Sequence, residues 1–163
     1  MKILIAYYSR NNTTHELAQY LLEKLSEKGQ QAETVRIIDL KNRNGIFGFI
    51  RGGWDAVKQK QTSIRCEVSD LCSYDLVLLG SPIWAEKITP AIRTFITQNK
   101  ENMKNVAFFS SAGGDKFHKF FDDMENLVGK HPKGSIGIQR KLWREQKSMC
   151  QAHLDQFITT VLS

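Results

Sequence analysis

The sequence predicts an α/β protein with a doubly wound, five-stranded parallel sheet. The first observation is a set of near-continuous apolar runs of strand length, typical of parallel strands covered on both faces. The clearest of these runs are Lys2–Tyr8, Tyr74–Gly80 and Val106–Ser110. The second observation is that segments with apolar residues at helical spacing alternate with these runs along the chain. This alternation of strands and helices is typical of a doubly wound parallel sheet.

The first strand and helix are joined by a short polar segment. Lys2–Tyr8 is followed by Ser9–Thr14, which is rich in hydroxyl and amide side chains, and then by a helix. The apolar residues of this helix recur at helical spacing: Leu17, Ala18, Leu21, Leu22 and Leu25. A strand that turns directly into a helix aims free N–H groups and the positive helix end at one point, which suits a phosphate. The alternative is an ordinary turn in which Thr13 or Thr14 caps the helix.

The segment after the second strand is the least regular part of the chain. We predict a second strand over Ala32–Leu40, because Val35, Ile37 and Ile38 lie at its centre. Lys41–Ser63 then combines glycines with aromatic residues, and we expect an excursion over the edge of the sheet. The last part of this excursion is predicted to form a short helix. The excursion either covers core surface or forms a wall of a cofactor site.

The remaining elements follow with shorter connections. The predictions, in chain order, are a helix over Asp55–Gln61, a strand over Tyr74–Gly80, a loop over Ser81–Thr89, a helix from Pro90 to about Lys100, a strand over Val106–Ser110, a helix from Lys116 to about Val128, a strand over Ser135–Gln139 and a helix over Lys147–Leu162. The chain has no internal repeat and no linker. We therefore expect a single domain over residues 1–163.

Composition limits the classes of protein that the chain can belong to. An apolar fraction of 41% in 163 residues fits a folded domain with a real core. No apolar run reaches membrane-spanning length and the chain starts without a signal-peptide pattern, so we expect a cytoplasmic protein without membrane insertion. Three cysteines without a CxxC pair argue against a disulfide framework and against zinc.

The net charge of +6 is distributed along the chain. No block of five like charges occurs, so no nucleic-acid partner is predicted. The charge either steers acidic partners or phosphorylated cofactors, or is simply a basic solvated surface.

Three segments follow strand ends, where ligands bind in doubly wound folds. Ser9–Thr14 offers amides and hydroxyls for an anion, Ser81–Thr89 offers the aromatic ring of Trp84, and Ser110–Asp115 offers two glycines that allow close backbone approach. Together they match a ligand with a phosphate at one end and a planar ring at the other. Taken singly, Trp84 is equally explained as a packing residue, and the glycines as a plain turn.

With these segments the sequence resembles short-chain, flavodoxin-like FMN-binding proteins over nearly its whole length. The resemblance is strongest in the first strand and its loop, in Gly80–Trp84 with Pro90–Phe95, and in Phe109–Gly114. It implies a three-layer α/β/α sandwich that binds FMN, with Ser9, Arg10, Asn11, Asn12, Thr13 and Thr14 on the phosphate, Pro82, Ile83, Trp84 and Ala85 along one side of the flavin, and Ser111, Ala112, Gly113 and Gly114 at its pyrimidine edge or opposite side.

Two departures from the family pattern stand in these loops. Asn11–Thr14 replaces a common Thr-Gly-Asn-Thr, and asparagine is the best non-glycine residue at a left-handed position. Ala85-Glu86-Lys87 follows Trp84, where the family often has a glycine.

The resemblance implies a flavoprotein that transfers electrons. The flavin carries the redox chemistry, so no side chain is predicted to be catalytic. Expected partners are a redox partner protein or NAD(P)H, and the chain is expected to be a monomer or a homodimer. One alternative is an FMN-dependent NAD(P)H:quinone or flavin reductase, an oxidoreductase whose basic rim of Arg10, Arg51 and Lys87 favours the 2′-phosphate of NADPH. The other is a flavin-free interaction domain of the same fold.

The histidines and cysteines add no further site. His15, His118, His131 and His153 have no metal-like spacing, so no metal is predicted. Cys66 and Cys72 form either a redox-active pair or ordinary thiols.

Overall fold

The computed structural model describes residues 1–41, 45–68 and 70–163. Its elements, in chain order, are β1 (Lys2–Tyr7), α1 (Thr13–Glu27), β2 (Gln31–Arg36), β3 (Ile38–Asp39), α2 (Gly45–Val57), β4 (Ile64–Arg65), β5 (Leu76–Trp84), β6 (Lys87–Ile88), α3 (Pro90–Asn99), β7 (Val106–Ala112), α4 (His118–Val128), β8 (Ser135–Gln139), α5 (Arg140–Glu145) and α6 (Lys147–Leu162). Two short 3₁₀ helices cover Leu71–Ser73 and Lys100–Asn102.

The central sheet has five parallel strands in the order β2-β1-β5-β7-β8. This arrangement confirms the predicted fold class. The chain moves from β1 to β2 on one side and then crosses to β5 on the other side of β1. The strand order therefore reverses between β1 and β5, which is where doubly wound folds bind their ligands.

Helices cover both faces of the sheet and form a three-layer sandwich. Along β1 the side chains alternate between two buried clusters, with Leu4 and Ala6 in one and Ile3, Ile5 and Tyr7 in the other. The first cluster contains residues of α3 and α4, and the second contains residues of α1, α5 and α6. Both faces of β1 are thus buried, as its continuous apolar run predicts.

One glycine of the sheet allows a close approach between neighbouring strands. Gly80 of β5 is paired in register with Phe109 of β7. A Cβ atom at Gly80 would lie 2.1 Å from Cζ of Phe109. The phenyl ring therefore occupies the space that any other residue at position 80 would fill.

The second strand is shorter than predicted. The expected strand Ala32–Leu40 divides into β2, which ends at Arg36, and β3, which pairs antiparallel with β4 outside the main sheet. The Asp39 carboxylate accepts hydrogen bonds from Thr62 Oγ1 (2.8 Å) and from the Lys41 N–H (2.9 Å). The Ile37 N–H still donates to the carbonyl of Tyr7 in β1 (2.8 Å), and the chain leaves the main sheet after this contact.

The predicted excursion contains a longer helix than expected. We predicted a helix over Asp55–Gln61, and the helix is α2, which begins at Gly45 and ends at Val57. Residues 42–44 of the excursion lie outside the described residues. The helix ends early because Gln59 has a left-handed backbone (φ 52°) and the Lys60 N–H returns to the carbonyl of Asp55.

The predicted loop Ser81–Thr89 is largely strand. β5 continues to Trp84 and then turns back to pair with β6. Ala85 and Glu86 form the turn with φ values of 49° and 59°, the left-handed pair of a two-residue hairpin. The strand predicted over Val106–Ser110 likewise extends to Ala112, and the helix predicted from Lys116 begins at His118. The sequence did not predict α5, β4 or β6.

Candidate functional site

A cleft of about 430 Å³ opens at the carboxyl ends of β1, β5 and β7. Its position coincides with the reversal of strand order between β1 and β5. The residues that line it come from all three predicted loops and from two helices: Arg10, Asn11, Ile50, Gly53, Trp54, Val57, Pro82, Ile83, Trp84, Ala85, Ser111 and Arg140.

The predicted site residues fall into three groups. Those that line the cleft are Arg10, Asn11, Pro82, Ile83, Trp84, Ala85 and Ser111. Those that line a neighbouring pocket of about 290 Å³, which shares Ile83 with the cleft, are Ala112, Gly113 and Gly114. Those that lie around the start of α1 without lining the cleft are Ser9, Asn12, Thr13 and Thr14.

The start of α1, next to Arg10 and Asn11 of the cleft, leaves two backbone donors without acceptors. The N–H of Thr13 donates to the carbonyl of Asn11 (2.9 Å), and the N–H of His15 donates to Ser9 Oγ (3.2 Å). Asn12 precedes the helix with φ 67° and offers no side-chain cap. Within the described ranges, the N–H groups of Asn12 and Thr14 have no acceptor. These two groups lie at the positive end of the helix dipole, where an anion is stabilised.

Buried hydroxyl groups join the first and third segments. Thr14 Oγ1 and Ser111 Oγ form a hydrogen bond of 2.8 Å, and both residues are buried. Thr14 is therefore a positioning residue between α1 and β7, whatever its backbone N–H binds. The Ser9 carbonyl accepts a hydrogen bond from Arg36 Nη2 at 3.0 Å, which holds the segment from the side of β2.

Two half-buried arginines give the cleft a positive lining. Arg10 comes from the first segment and Arg140 from the start of α5. Among the described residues, no carboxylate side chain lines the cleft and none forms an ion pair with Arg140. A Cβ atom at Gly113 would lie 3.0 Å from Arg140 Nη2, so the glycine leaves room for this guanidinium.

Trp84 is the buried floor of the cleft and not an exposed ring. Its side chain is only 8% exposed. Its ring lies against Gly52 of α2, where a Cβ atom would come within 2.7 Å of Cζ3. The Tyr8 ring meets it edge to face at a centroid distance of 5.6 Å.

The apolar wall of the cleft comes from α2. Ile50, Trp54 and Val57 line the cleft and remain about half exposed or more. A wall from this segment was one of the two alternatives predicted for Lys41–Ser63, but none of these side chains was predicted as a site residue, and neither was Arg140. The sequence pattern that could have predicted this wall is the helical spacing of Phe47, Ile50, Trp54 and Val57. The four glycines of the segment argued against a helix there.

The basic rim suggested for an NADPH-dependent enzyme is not assembled at the cleft. Lys87 forms an ion pair with Asp123 of α4 at 2.9 Å. Arg51 is exposed on α2 and does not line the cleft. Of the three proposed rim residues, the cleft contains Arg10 alone.

Three of the four histidines have local partners. His15 Nδ1 shares a 2.6 Å hydrogen bond with the hydroxyl of Tyr7, whose pKa is raised by burial. His131 and His118 lie 2.9 Å and 3.6 Å from the carboxylates of Glu125 and Asp122. In the part of the chain that the structure describes, no group of three metal-ligating side chains is found.

The three cysteines are free thiols. Cys72 is exposed, Cys66 is half-buried and Cys150 is buried. Burial raises the pKa of Cys66 to about 11, which leaves its reactive thiolate scarce at neutral pH.

Comparison with solved structures identifies the fold. No protein-family model and no curated protein matches the chain. A flavoprotein from Lactobacillus acidophilus, solved in complex with FMN, superposes with a TM-score of 0.71 at 22% identity over 90% of this chain and 98% of its own. A flavoprotein from Bacteroides uniformis gives 0.71 at 20% identity, covering 90% and 97%. Flavodoxin from Streptococcus pneumoniae gives 0.63 at 13% identity, covering 99% and 98%. Among the described helices, none has the length and apolar character of a membrane span.

The three superpositions show that the chain has the flavodoxin-like fold, as the resemblance of its sequence implied.

Proposed function

We propose that this chain is a flavodoxin-type redox protein that binds FMN non-covalently and exchanges electrons with a partner protein. The observation that carries the proposal is one cleft with two different ends. One end is lined by Arg10 and Arg140 next to the start of α1, whose Asn12 and Thr14 N–H groups have no acceptor, and the other end has an apolar wall. The similar Lactobacillus acidophilus flavoprotein, which was solved with FMN, supports the same ligand. When bound, the flavin supplies one- and two-electron transfer.

The polar end fits the phosphate of FMN. We assign the phosphate to Ser9, Arg10, Asn11, Asn12, Thr13 and Thr14. The N–H groups of Asn12 and Thr14 donate, and Arg10 contributes charge. Thr14 also holds Ser111 in place through the hydroxyl contact. A phosphate dianion there would be stabilised by the helix dipole and by charge-assisted hydrogen bonds.

The apolar part fits a planar ring. We assign one side of the ring to Pro82, Ile83, Trp84 and Ala85, and its edge or other side to Ser111, Ala112, Gly113 and Gly114. To these the structure adds α2, whose Trp54 is the exposed aromatic side chain at the cleft. Trp84 would support the ring from below because its own ring is already packed against Gly52 and Tyr8.

Reconstitution with flavin tests this proposal. Purified protein is mixed with excess FMN, passed through a desalting column and examined by visible absorption. We expect flavin bands retained at one FMN per chain, and binding of riboflavin weaker by at least about tenfold, because riboflavin lacks the phosphate. A protein that returns all added FMN would overturn the redox proposal and favour a flavin-free domain of the same fold.

Between the two redox functions, the structure favours the carrier. A reductase needs a site for NAD(P)H, and the predicted basic rim is not assembled because Lys87 is paired with Asp123. We expect the FMN-loaded protein to remain oxidised for minutes under anaerobic NADPH while dithionite reduces it at once. Rapid reduction by NADPH alone would instead identify an enzyme.

A further inference from the structure

Four apolar side chains of α2 form an exposed stripe along one side of the helix. Phe47 is 88% exposed, Ile50 62%, Trp54 60% and Val57 48%. Their spacing of three, four and three residues places them on one helical face. We call Phe47, Ile50, Trp54 and Val57 the α2 stripe.

Packing of the fold does not require the α2 stripe. The opposite side of α2 makes the contacts with the core, since Ala56 is fully buried and Gly52 lies on Trp84. A ligand in the cleft would touch Ile50, Trp54 and Val57, but Phe47 does not line the cleft. The most exposed large apolar side chain of the stripe therefore lies beyond the reach of the proposed flavin. Exposed apolar patches of this kind mark interaction sites.

The charged side chains exposed beside the α2 stripe are cations, and the acidic side chain of the helix is buried. Arg51 on α2 and Lys58 just after it are exposed. Asp55 is the acidic residue of α2, and it points inward, buried and ion-paired with Lys41 (3.0 Å) and Lys60 (3.6 Å). The outer surface of the helix therefore combines apolar side chains with cations and presents no carboxylate among its described residues.

One contact places a cation at the level of the exposed indole. Nζ of Lys58 lies 5.2 Å from the centroid of the Trp54 ring. An ammonium group over an exposed indole ring places a cation directly beside apolar surface, which suits the boundary between an apolar phase and anionic groups.

We propose that the α2 stripe, with Arg51 and Lys58, binds the surface of an anionic lipid bilayer. Phe47 and the exposed parts of Ile50, Trp54 and Val57 enter the boundary between headgroups and acyl chains, and the cations meet lipid phosphates. Helix α2 lies in the plane of the interface and does not cross the bilayer. A bilayer matches both the apolar stripe and its cations without a shaped complement, which an acidic protein partner would have to supply.

Sedimentation with lipid vesicles tests this proposal on the full chain without added flavin. The probes are vesicles of pure phosphatidylcholine and vesicles containing about one third phosphatidylglycerol. We expect the protein to sediment with the anionic vesicles and to remain in solution with the neutral ones. Added salt should weaken the binding, because part of it is electrostatic. Absence of binding to the anionic vesicles would overturn the proposal.

Matched variants separate insertion from simple charge attraction. Phe47→Ser should lower the partition coefficient by about tenfold or more, since a buried phenyl group would be lost from the interface. Met149→Ser is the control, because Met149 is also exposed (40%) but lies on α6, on the opposite side of the sheet. Arg51→Gln combined with Lys58→Gln should also weaken binding. If Phe47→Ser bound the vesicles as well as the wild type, binding would come from the basic side chains alone, and the proposed insertion would be contradicted.

A second copy of this chain, bound at the α2 stripe in place of a membrane, would give a different experimental result. A second copy of the chain would give a concentration-dependent dimer that Phe47→Ser abolishes, without vesicle binding, and this result would also contradict the proposal. Phe47, Arg51 and Lys58 do not line the cleft, so these variants should bind FMN as the wild type does. Loss of vesicle binding with retained FMN binding thus tests the stripe separately from the proposed function.

Discussion

At the scale of single residues, Arg10 tests whether the polar end of the cleft binds a phosphate. We expect Arg10→Gln to weaken FMN binding by about tenfold, because one charge-assisted contact is lost. Riboflavin binding should not change, because that ligand has no phosphate. Arg65→Gln on β4 is the control, since Arg65 is exposed and does not line the cleft. Fluorescence titration measures both ligands, and an equal loss for FMN and riboflavin would contradict the assignment.

Tyr74 makes the stability of the protein depend on pH in the alkaline range. Burial, followed by the hydrogen bond to Glu33 and the charge of that carboxylate, raises the pKa of Tyr74 to about 12. An unfolded tyrosine titrates near pH 10, so the folded protein holds the proton more tightly. The stabilising contribution is therefore complete below about pH 10 and is lost as the pH rises toward 12.

The corresponding variant is Tyr74→Phe. We expect its free energy of unfolding in urea to fall less steeply between about pH 10 and 12 than that of the wild type. Parallel curves for the two proteins would show that Tyr74 does not couple ionisation to folding.

The sequence predicted the loops that reach the cleft better than the side chains of its α2 wall. Ser9–Thr14 and Ser81–Thr89 were predicted from hydroxyls, amides and an aromatic placed after strands, and the family resemblance selected Pro82–Ala85 from the second loop. The structure brings Arg10, Asn11 and Pro82–Ala85 to one cleft. The sequence did not show which of the two tryptophans at the cleft, Trp54 or Trp84, has an exposed ring. Whether Trp84 or Trp54 is exposed depends on how α2 packs, and the sequence around Trp54 does not show that packing.

At the scale of secondary structure, α2 shows how tertiary contacts overcome a weak helix propensity. Four glycines in 13 residues disfavour a helix. Gly52 nevertheless suits the helix, because only a residue without a side chain lets α2 approach the Trp84 ring. The buried Asp55, with its ion pairs to Lys41 and Lys60, fixes the end of the helix.

A pair of alanine variants tests this packing. Gly52→Ala places a methyl group 2.7 Å from Trp84 Cζ3, so we expect a loss of about 1–3 kcal/mol in the free energy of unfolding. Gly53→Ala meets nothing within 4 Å and should be neutral or stabilising by up to about 1 kcal/mol, because alanine favours a helix. Urea denaturation measures both variants. Equal effects at the two positions would mean that α2 does not rest on Trp84.

The hairpin after β5 explains a second difference from the predicted elements. Ser81, Pro82 and the following charges favour a loop, yet β5 runs on to Trp84 because it pairs with β7 through Ser81 and Pro82 and with β6 beyond them. The left-handed backbone at Ala85 and Glu86 permits the tight turn, and no glycine signals it. Long-range pairing, which the local pattern does not contain, therefore sets the end of this strand.

At the scale of the whole molecule, the alternation of apolar strands and amphipathic helices was sufficient to predict the fold class. The parallel sheet follows from the helical connections, and Ser135–Gln139 and Lys147–Leu162 were predicted with the bounds that the structure shows. The elements missed were short and local: β4, β6 and α5. We expect the chain to unfold in one cooperative transition, as a single domain does. Two separate transitions by circular dichroism and fluorescence would contradict a single domain.

The central claim is that FMN binds in the cleft at the ends of β1, β5 and β7. The most direct measurement is a ¹⁵N NMR titration of the protein with FMN. We predict the largest shifts at the backbone N–H groups of Asn12 and Thr14, at residues 111–114 and at the indole N–H of Trp54, with little change in β4 or α6. Shifts confined to other surfaces, or no shifts at saturating FMN, would contradict the account.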